Sequence, residues 1–163
     1  MLSNKARANV GFNGDFFEVI SISSGMIDFP EPTSEVRYLP DVTNEILGEA
    51  VVLALIESKH VSPAVFQEIL ASGKIQRISE ERSKYTLKRY GYKSKKAMLK
   101  NMAFCLITVN GGEFMIQPTH HRLIDSFSGL PREEVLSVSL NASNAELGVA
   151  IREGIKRCTS ALD

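Results

Sequence analysis

One eight-residue pattern occurs twice in this chain, at positions that lie a hundred residues apart. Residues 44–51 read Asn-Glu-Ile-Leu-Gly-Glu-Ala-Val, and residues 144–151 read Asn-Ala-Glu-Leu-Gly-Val-Ala-Ile. In each copy the shared leucine is followed by apolar residues at every fourth position, which is the spacing of one face of an α-helix. Because a glycine inside a helix costs about 1 kcal/mol relative to alanine, Gly48 and Gly148 indicate that each helix closely approaches a neighbouring backbone.

Turn and capping residues predict the remaining secondary structure. Asn13-Gly14 and Asn110-Gly111-Gly112 each separate two strand-like runs and are typical of hairpin turns. Ser143 and Glu146 form the capping box of a final helix. The predicted strands cover residues 8–14, 15–22, 35–39, 103–109, 113–117 and 135–140. The predicted helices cover residues 44–58, 63–73, 79–90 and 95–102, and a last one begins at 143. The segment 23–34 is predicted to be a long surface loop, and 119–132 a turn or short helix with a loop.

This order of elements predicts an α+β fold. Consecutive strands joined by two-residue turns are antiparallel, and the helices come as a block between strands. We therefore expect an antiparallel β-sheet packed against several α-helices. At 163 residues, residues 1–163 are expected to form a single domain.

Cysteine usage and apolar content predict a cytoplasmic protein. Cys105 and Cys158 are too few for a disulfide framework and are predicted to be reduced residues of the core. Neither a signal-peptide pattern nor an apolar run long enough to span a membrane is found in the sequence.

The histidines are the residues with the greatest catalytic potential. His120 and His121 are adjacent, so their side chains point apart on a strand or helix, and neither a zinc-ligand spacing nor a paired carboxylate accompanies them. General acid-base use of His121 is one alternative, and a hydrogen-bonded structural histidine is the other. We predict that the protein is not an enzyme and that it has no catalytic residue, no metal site and no cofactor.

Charge is unevenly distributed, although the net charge is zero. Residues 1–60 hold nine acids and four bases, which gives −5, whereas residues 61–102 hold ten bases and three acids, which gives +7. This asymmetry suits a charged partner, or the two patches face each other or water. Within the basic half, residues 84–96 mix bases with tyrosines, so a nucleic-acid-binding or regulatory module is the alternative function.

Several short motifs follow one another in a fixed order between Val36 and Cys158. They are Arg37-Tyr38, Leu47-Gly48-x-Ala50, Ala54-Leu55, Ser58-Lys59, Tyr90-Gly-Tyr-Lys93-Ser-Lys, Ile116-x-Pro118-Thr-x-His121, Leu147-Gly148-x-Ala150 and Arg157-Cys158. In this order they resemble the immunity proteins of bacterial contact-dependent growth inhibition (CDI), specifically the α+β type that neutralises nuclease toxins. The sequence departs from that pattern at Lys59, where an arginine is expected, and in having no tryptophan.

The resemblance implies a non-catalytic cytoplasmic inhibitor. Such a protein binds the C-terminal toxin domain of a large exported protein, delivered by a neighbouring cell, and blocks its activity. Family members are known whose toxin inserts a β-hairpin that extends the immunity protein's sheet, which requires a free strand edge. We expect no direct contact with nucleic acid or membrane, and a monomer or weak dimer.

The resemblance also separates fold-keeping residues from binding residues. The motif residues Arg37, Gly48, Pro118, His121 and Gly148 are predicted to maintain the fold. An immunity protein must match one toxin and reject others, so its binding residues are expected on exposed surface outside the motifs. The predicted toxin-binding residues are four acids of the negative segment, which would complement the basic surface of a nuclease. They are Asp28, Glu31, Glu35 and Asp41.

Overall fold

The computed structural model describes residues 2–162, which form nine strands and five α-helices. The strands are β1 (Arg7–Phe12), β2 (Phe17–Ser24), β3 (Asp28–Pro30), β4 (Arg37–Leu39), β5 (Ala103–Asn110), β6 (Glu113–Leu123), β7 (Ser126–Gly129), β8 (Leu136–Ser139) and β9 (Thr159–Ser160). The helices are α1 (Asn44–Glu57), α2 (Pro63–Ala71), α3 (Lys74–Tyr90), α4 (Lys95–Leu99) and α5 (Asn144–Arg157), with a single 3₁₀ turn at Arg132–Glu134. The α+β fold expected from the sequence is confirmed. Within this part of the chain, none of the helices combines the length and apolar composition needed to cross a bilayer.

The strands form one curled sheet in the order β3-β2-β1-β5-β6-β7. All pairings are antiparallel except the short parallel pairing of β9 with β6. On the side of β2 away from β1, β3 pairs with residues 22–24 and β4 with residues 17–19. These two three-residue strands therefore form one interrupted edge of the sheet. The opposite edge is formed by β8, which pairs with residues 113–116 of β6, together with β7, which pairs with residues between 119 and 123.

Alternation along the strands divides the sheet into two differently covered faces. Val10, Val19 and Ile107 are fully buried against α1 and α5 and form the main core. Phe16 and Met102 belong to a smaller cluster with α4 and the end of α3.

The two repeated segments prove to be neighbouring helices that touch through their glycines. A Cβ atom added to Gly48 would lie 2.7 Å from the carbonyl carbon of Asn144, and one added to Gly148 would lie 2.6 Å from that of Asn44. Each glycine therefore receives the first turn of the other helix. The predicted close approach is confirmed, and its reciprocal geometry explains why the pattern occurs twice.

Capping follows the sequence rules closely. The Thr43 hydroxyl accepts a hydrogen bond from the Ile46 amide at the start of α1. The capping box of Ser143 and Glu146 is present at the start of α5. The predicted start of α3 at residue 79 is wrong, because Gly73 adopts a left-handed conformation and connects α2 directly to a helix that begins at Lys74.

Two predicted loops contain strands. The segment 23–34 includes the end of β2 and all of β3, where Phe29 is buried. The segment 119–132 contains the rest of β6 and all of β7. The prediction that Pro118 ends a strand is also wrong. Pro118 lies between the part of β6 that pairs with β8 and the part that pairs with β7, so a missing N–H is tolerated there.

Candidate interaction surface

Three of the four predicted binding acids lie along the β3–β4 edge of the sheet. Asp28 begins β3, Glu35 lies between the two strands, and Asp41 follows β4, and all three are exposed. Since β3 and β4 pair with the same side of β2, the structure brings these acids to one rim.

Neighbouring bases partly neutralise this acidic rim. Asp28 lies 3.7 Å from Arg7, and Asp41 lies 3.2 Å from Arg152. Glu35 forms no ion pair with any residue between 2 and 162. Surface ion pairs contribute at most about 1 kcal/mol, so Asp28 and Asp41 can exchange partners, and Glu35 is available without exchange.

The prediction that Glu31 lies on the exposed surface is wrong. Only 3% of this residue is exposed, and its carboxylate accepts hydrogen bonds from the Ser23 hydroxyl (3.0 Å) and the Thr33 amide (2.8 Å). Lys59 completes its surroundings at 3.6 Å. Charge alone did not reveal this burial, because a carboxylate that receives several hydrogen bonds can be buried at little cost.

A cleft of about 290 Å³ opens beside the acidic rim, between β4 and α3. Glu35 and Tyr38 line one wall, and Arg82 and Tyr85 line the other. The two tyrosine rings are 5.2 Å apart, and Tyr85 is half exposed. Tyrosine and arginine are enriched among the residues that dominate binding energy at protein interfaces. We refer to Glu35, Tyr38, Arg82 and Tyr85 as the β4–α3 cleft.

The floor of this cleft carries polar groups without partners. The hydroxyl of Tyr38 is buried and makes no hydrogen bond within residues 2–162. Burial raises the pKa of Tyr38, so the hydroxyl stays protonated and can donate. Glu18 lies below it in a second cavity of about 160 Å³, which is also lined by Arg82 and Thr86. Burial raises the pKa of Glu18 to about 7, although nearby Arg82 acts in the opposite direction.

Glu18→Gln is therefore expected to stabilise the protein at alkaline pH. The pKa of Glu18 is raised on folding, so the folded protein retains a proton that the unfolded chain releases, and stability falls as pH rises from about 4.5 to 7. At pH 8 the free energy of unfolding of the variant should exceed that of wild type by about 1 to 2 kcal/mol. This figure allows for the partial exposure of Glu18 and for the lost attraction to Arg82. Urea unfolding at pH 5 and pH 8 measures this difference, with Glu113→Gln at an exposed site of β6 as the control. An equal change in the free energy of unfolding at both pH values would contradict the raised pKa of Glu18.

The predicted fold-keeping residues occupy buried or tightly paired positions. Arg37 forms a two-point ion pair with Glu57 at the end of α1, with nitrogen–oxygen distances of 2.5 and 3.2 Å. This pair fastens β4 to α1. Pro118 faces the main core opposite Cys105.

His121 lies in an enclosed position in β6. It is 2% exposed, and its ring stacks on Phe127 at 4.1 Å between centroids. Its Nε2 atom lies 3.0 Å from the carbonyl oxygen of Ile124. Because the imidazole is enclosed, the acid-base alternative has no access for a substrate. No group of three or more potential metal ligands occurs in the described part of the chain.

The basic segment 84–96 is mainly a solvated surface. Its bases, including Lys84, Lys88 and Lys96, are exposed along α3 and α4. Leu87 points inward and packs on the second cluster. Tyr85 is 50% exposed at the cleft.

The cleft is the part of this surface that sequence reasoning missed. Glu35 and Tyr38 lie before and within β4, and Arg82 and Tyr85 lie on α3, so the residues of the cleft are separated by up to about fifty positions in the chain. One signal was available for Glu18. In the alternation Phe17-Glu18-Val19, the acid must face away from the core that its two neighbours enter.

Comparison with known proteins agrees with this architecture over nearly the whole chain. The family model described as CDI immunity protein matches residues 6–158. The immunity protein CdiI of Yersinia pseudotuberculosis serotype O:3 (strain YPIII) is 31% identical over 169 residues, covering 94% of this chain and 95% of that protein.

Solved structures show the same fold. A chain of the CdiA-CT/CdiI toxin and immunity complex from Yersinia pseudotuberculosis superposes with a TM-score of 0.83 at 26% identity, covering 98% of this chain and 100% of that one. A protein of unknown function from Neisseria meningitidis superposes with a TM-score of 0.86 at 24% identity, covering 97% and 99%. Taken with the paired helices and the ordered motifs, these matches show that the chain belongs to the family of CDI immunity proteins.

Proposed function

We propose that this protein binds the C-terminal toxin domain of a CdiA-type exported protein and neutralises it by forming a one-to-one complex. The observation that carries the proposal is family membership over residues 6–158, together with a relative solved in complex with its toxin. Inhibition is stoichiometric and requires neither catalysis nor a cofactor. The protein acts in the cytoplasm, where a delivered toxin reaches its target.

We further propose that the toxin docks on the acidic rim and the adjoining β4–α3 cleft. Asp28, Glu35 and Asp41 present carboxylates to a basic toxin surface, as expected if the toxin is a nuclease. Tyr85 offers half-exposed apolar area beside them, and its ring lies 5.2 Å from that of Tyr38. A central pocket with aromatic anchors and a charged rim is the usual anatomy of a specific interface.

The outer side of β4 provides main-chain groups next to the same cleft. Within residues 2–162, β4 pairs only with β2. A toxin strand that pairs with β4 would gain main-chain hydrogen bonds, while side chains in the cleft select the partner. Glu31 contributes indirectly, because it holds the loop that carries Glu35.

The first test is a titration calorimetry experiment with the toxin domain of the large exported protein encoded beside this gene. We expect a one-to-one complex with a Kd below about 0.1 μM, or roughly −9.5 kcal/mol, and protection of cells that express the toxin. A toxin that still kills cells in the presence of excess folded protein would contradict the proposed function for that pair.

Charge reversal tests the docking surface itself. The triple variant Asp28→Lys, Glu35→Lys, Asp41→Lys is expected to weaken toxin binding at least tenfold, about 1.4 kcal/mol, mainly through slower association at low salt. Tyr85→Ala is expected to weaken binding by a similar factor through loss of buried apolar area.

A matched triple variant at the opposite edge is the control. Glu113→Lys, Asp125→Lys, Glu133→Lys changes the net charge equally at exposed acids near β7 and β8. It should leave the Kd within a factor of two. If the control weakens binding and the rim variant does not, the toxin docks at the β8 edge instead.

The nucleic-acid alternative makes a separate prediction about salt. Binding through residues 84–96 would give retention on DNA or RNA that falls steeply with salt, because phosphate contacts release counterions. Tyr85 is half exposed among these bases, so the salt dependence of retention on nucleic acid is the measurement that separates this alternative from toxin binding.

A further inference from the structure

The two cysteines come from distant parts of the chain and meet at the end of α5. Cys105 lies in β5 and Cys158 directly follows α5, yet their sulfur atoms are 4.0 Å apart. Both are free thiols. The strand of Cys105, β5, is separated from β2 by β1. Neither cysteine belongs to the proposed docking surface.

Close packing of α5 on the sheet leaves no side chain between the two sulfurs. A Cβ atom added to Gly154 would lie 3.0 Å from the sulfur of Cys105 and 2.8 Å from Ile116. Gly154 therefore allows the last turn of α5 to lie against β5. The residue that follows this turn, Cys158, is thereby brought to Cys105.

The two thiols differ in their access to solvent. Cys105 is fully buried. Cys158 is partly exposed and lines a surface cavity of about 250 Å³ with Lys100, Thr159 and Ser160, which are all exposed. Cys158 is therefore the residue of the pair that lies nearer to solvent.

The two thiols also differ in acidity. The hydrogen bond from the Cys105 thiol lowers the pKa of Cys158 to about 7, against the opposing effect of burial. The same interaction and burial raise the pKa of Cys105. Since the thiolate is the reactive form, Cys158 is the residue that reacts first.

We propose that Cys105 and Cys158 form a redox-active pair that closes to an intramolecular disulfide when a hydroperoxide oxidises Cys158. The Cys158 thiolate attacks one oxygen of hydrogen peroxide, the O–O bond breaks, and the hydroxide that leaves takes up a proton to form water. Cys158 is then a sulfenic acid. The sulfur of Cys105 attacks that of Cys158, the S–O bond breaks, and the Cys105 proton leaves with the hydroxyl as a second water. Two thiols are oxidised by two electrons, and one peroxide is reduced to two waters.

The required movement is small and falls on a segment able to make it. The sulfurs must approach from 4.0 Å to about 2 Å. Cys158 lies between the end of α5 and the two-residue strand β9, so its backbone can shift without disturbing the core of the helix. The disulfide would fasten α5 and β9 to β5.

The test is oxidation of the reduced full-length protein with a slight excess of hydrogen peroxide. We expect the intact mass to fall by about 2 Da, both free thiols to disappear together, and a non-reducing digest to contain a Cys105–Cys158 linked peptide. The melting temperature should rise by roughly 5 to 10 °C and return on addition of dithiothreitol, because the crosslink restricts the unfolded chain.

Single variants identify which thiol reacts first. Cys105→Ser should leave a sulfenic acid at Cys158 that dimedone traps, and Cys158→Ser should leave Cys105 unreactive in the folded protein. A mass increase of wild-type protein by oxygen with Cys105 still titratable would overturn the proposal. Disulfide-linked dimers as the main product, or two thiols unchanged by peroxide, would also overturn it. Each readout is independent of toxin binding.

Discussion

Alanine at Gly48 or at Gly148 is expected to destabilise the protein by about 3 kcal/mol or more, since the new methyl group overlaps backbone that has no free space to move. At each position an added Cβ would lie less than 3 Å from the carbonyl carbon of the asparagine that begins the other helix. The helices must separate or tilt, which opens the contact between Leu47 and Leu147 in the main core. The melting temperature should fall by roughly 6 to 12 °C for a protein of this size.

The sign of this effect distinguishes tertiary packing from intrinsic helix propensity. In a helix without tertiary contacts, Gly→Ala stabilises by about 1 kcal/mol. A decrease in the free energy of unfolding therefore means that the damage to the helix–helix contact exceeds this intrinsic gain. Glu49→Ala and Val149→Ala, at the next, exposed position of each helix, are the matched controls and should change stability by less than about 0.5 kcal/mol.

The double variant Gly48→Ala, Gly148→Ala tests whether the two contacts form one interface. Because the first substitution already separates the helices, the second should cost less than it does alone. Additive losses in chemical denaturation would contradict the reciprocal packing.

The second large effect is expected at Glu31, whose replacement by alanine should cost about 2 to 4 kcal/mol. The substitution leaves the buried Ser23 hydroxyl and the Thr33 amide without their acceptor. It also leaves Lys59 without its partner. Glu31→Gln retains an acceptor oxygen and should reduce the free energy of unfolding about half as much. The loss that remains in this variant reports the contribution of the negative charge.

The stability attributed to Glu31 should depend on pH in the direction opposite to that of Glu18. Burial alone raises the pKa of Glu31, but hydrogen bonds from Thr33 and Ser23 outweigh it and lower the pKa below 4.5. The pKa of Glu57 is also lowered, chiefly by the hydrogen bond from Arg37. These carboxylates stabilise the fold above about pH 4.5, and that stabilisation is lost as pH falls through their folded pKa values.

Urea unfolding of wild type and Glu31→Gln between pH 3 and pH 6 measures this effect. The difference between the two proteins should shrink as pH falls, because the stabilisation by the Glu31 carboxylate is lost as it is protonated. A difference that stays constant over this range would mean that the charge of Glu31 does not contribute. Because this residue also holds the loop that bears Glu35, both variants should weaken toxin binding if the acidic rim is the docking surface.

Local sequence rules succeeded where a few adjacent residues decide the structure. The hairpin at Asn110-Gly111-Gly112 has left-handed glycines, as its turn requires. The capping residues Thr43 and Ser143 begin their helices as predicted. The hydrophobic period of α1 and α5 identified the residues that enter the core, because that period is set by the geometry of a single helix.

The same rules failed where a residue's role depends on a distant partner. Proline usually ends a strand, yet Pro118 lies inside β6 because the strand changes partners there. Tyr85 is a large aromatic residue of α3, yet it is half exposed in the cleft that α3 forms with β4. Glu31 was predicted to be exposed from its charge, yet Ser23 and Thr33 bury it with their hydrogen bonds.

The sequence by itself determined the fold class, the two glycine-bearing helices and, through the order of its motifs, the family of CDI immunity proteins. The fold class and the helices follow from periodicity, capping and short-range spacing, which adjacent residues encode, whereas the family follows from the resemblance of the ordered motifs to known immunity proteins. Only the tertiary structure decided that Gly48 and Gly148 receive each other's helix, and that Asp28, Glu35 and Asp41 share one rim. It also decided that Cys105 meets Cys158. Each of these is a contact between residues far apart in the chain, and such contacts arise only when the sheet is assembled and the helices pack on it.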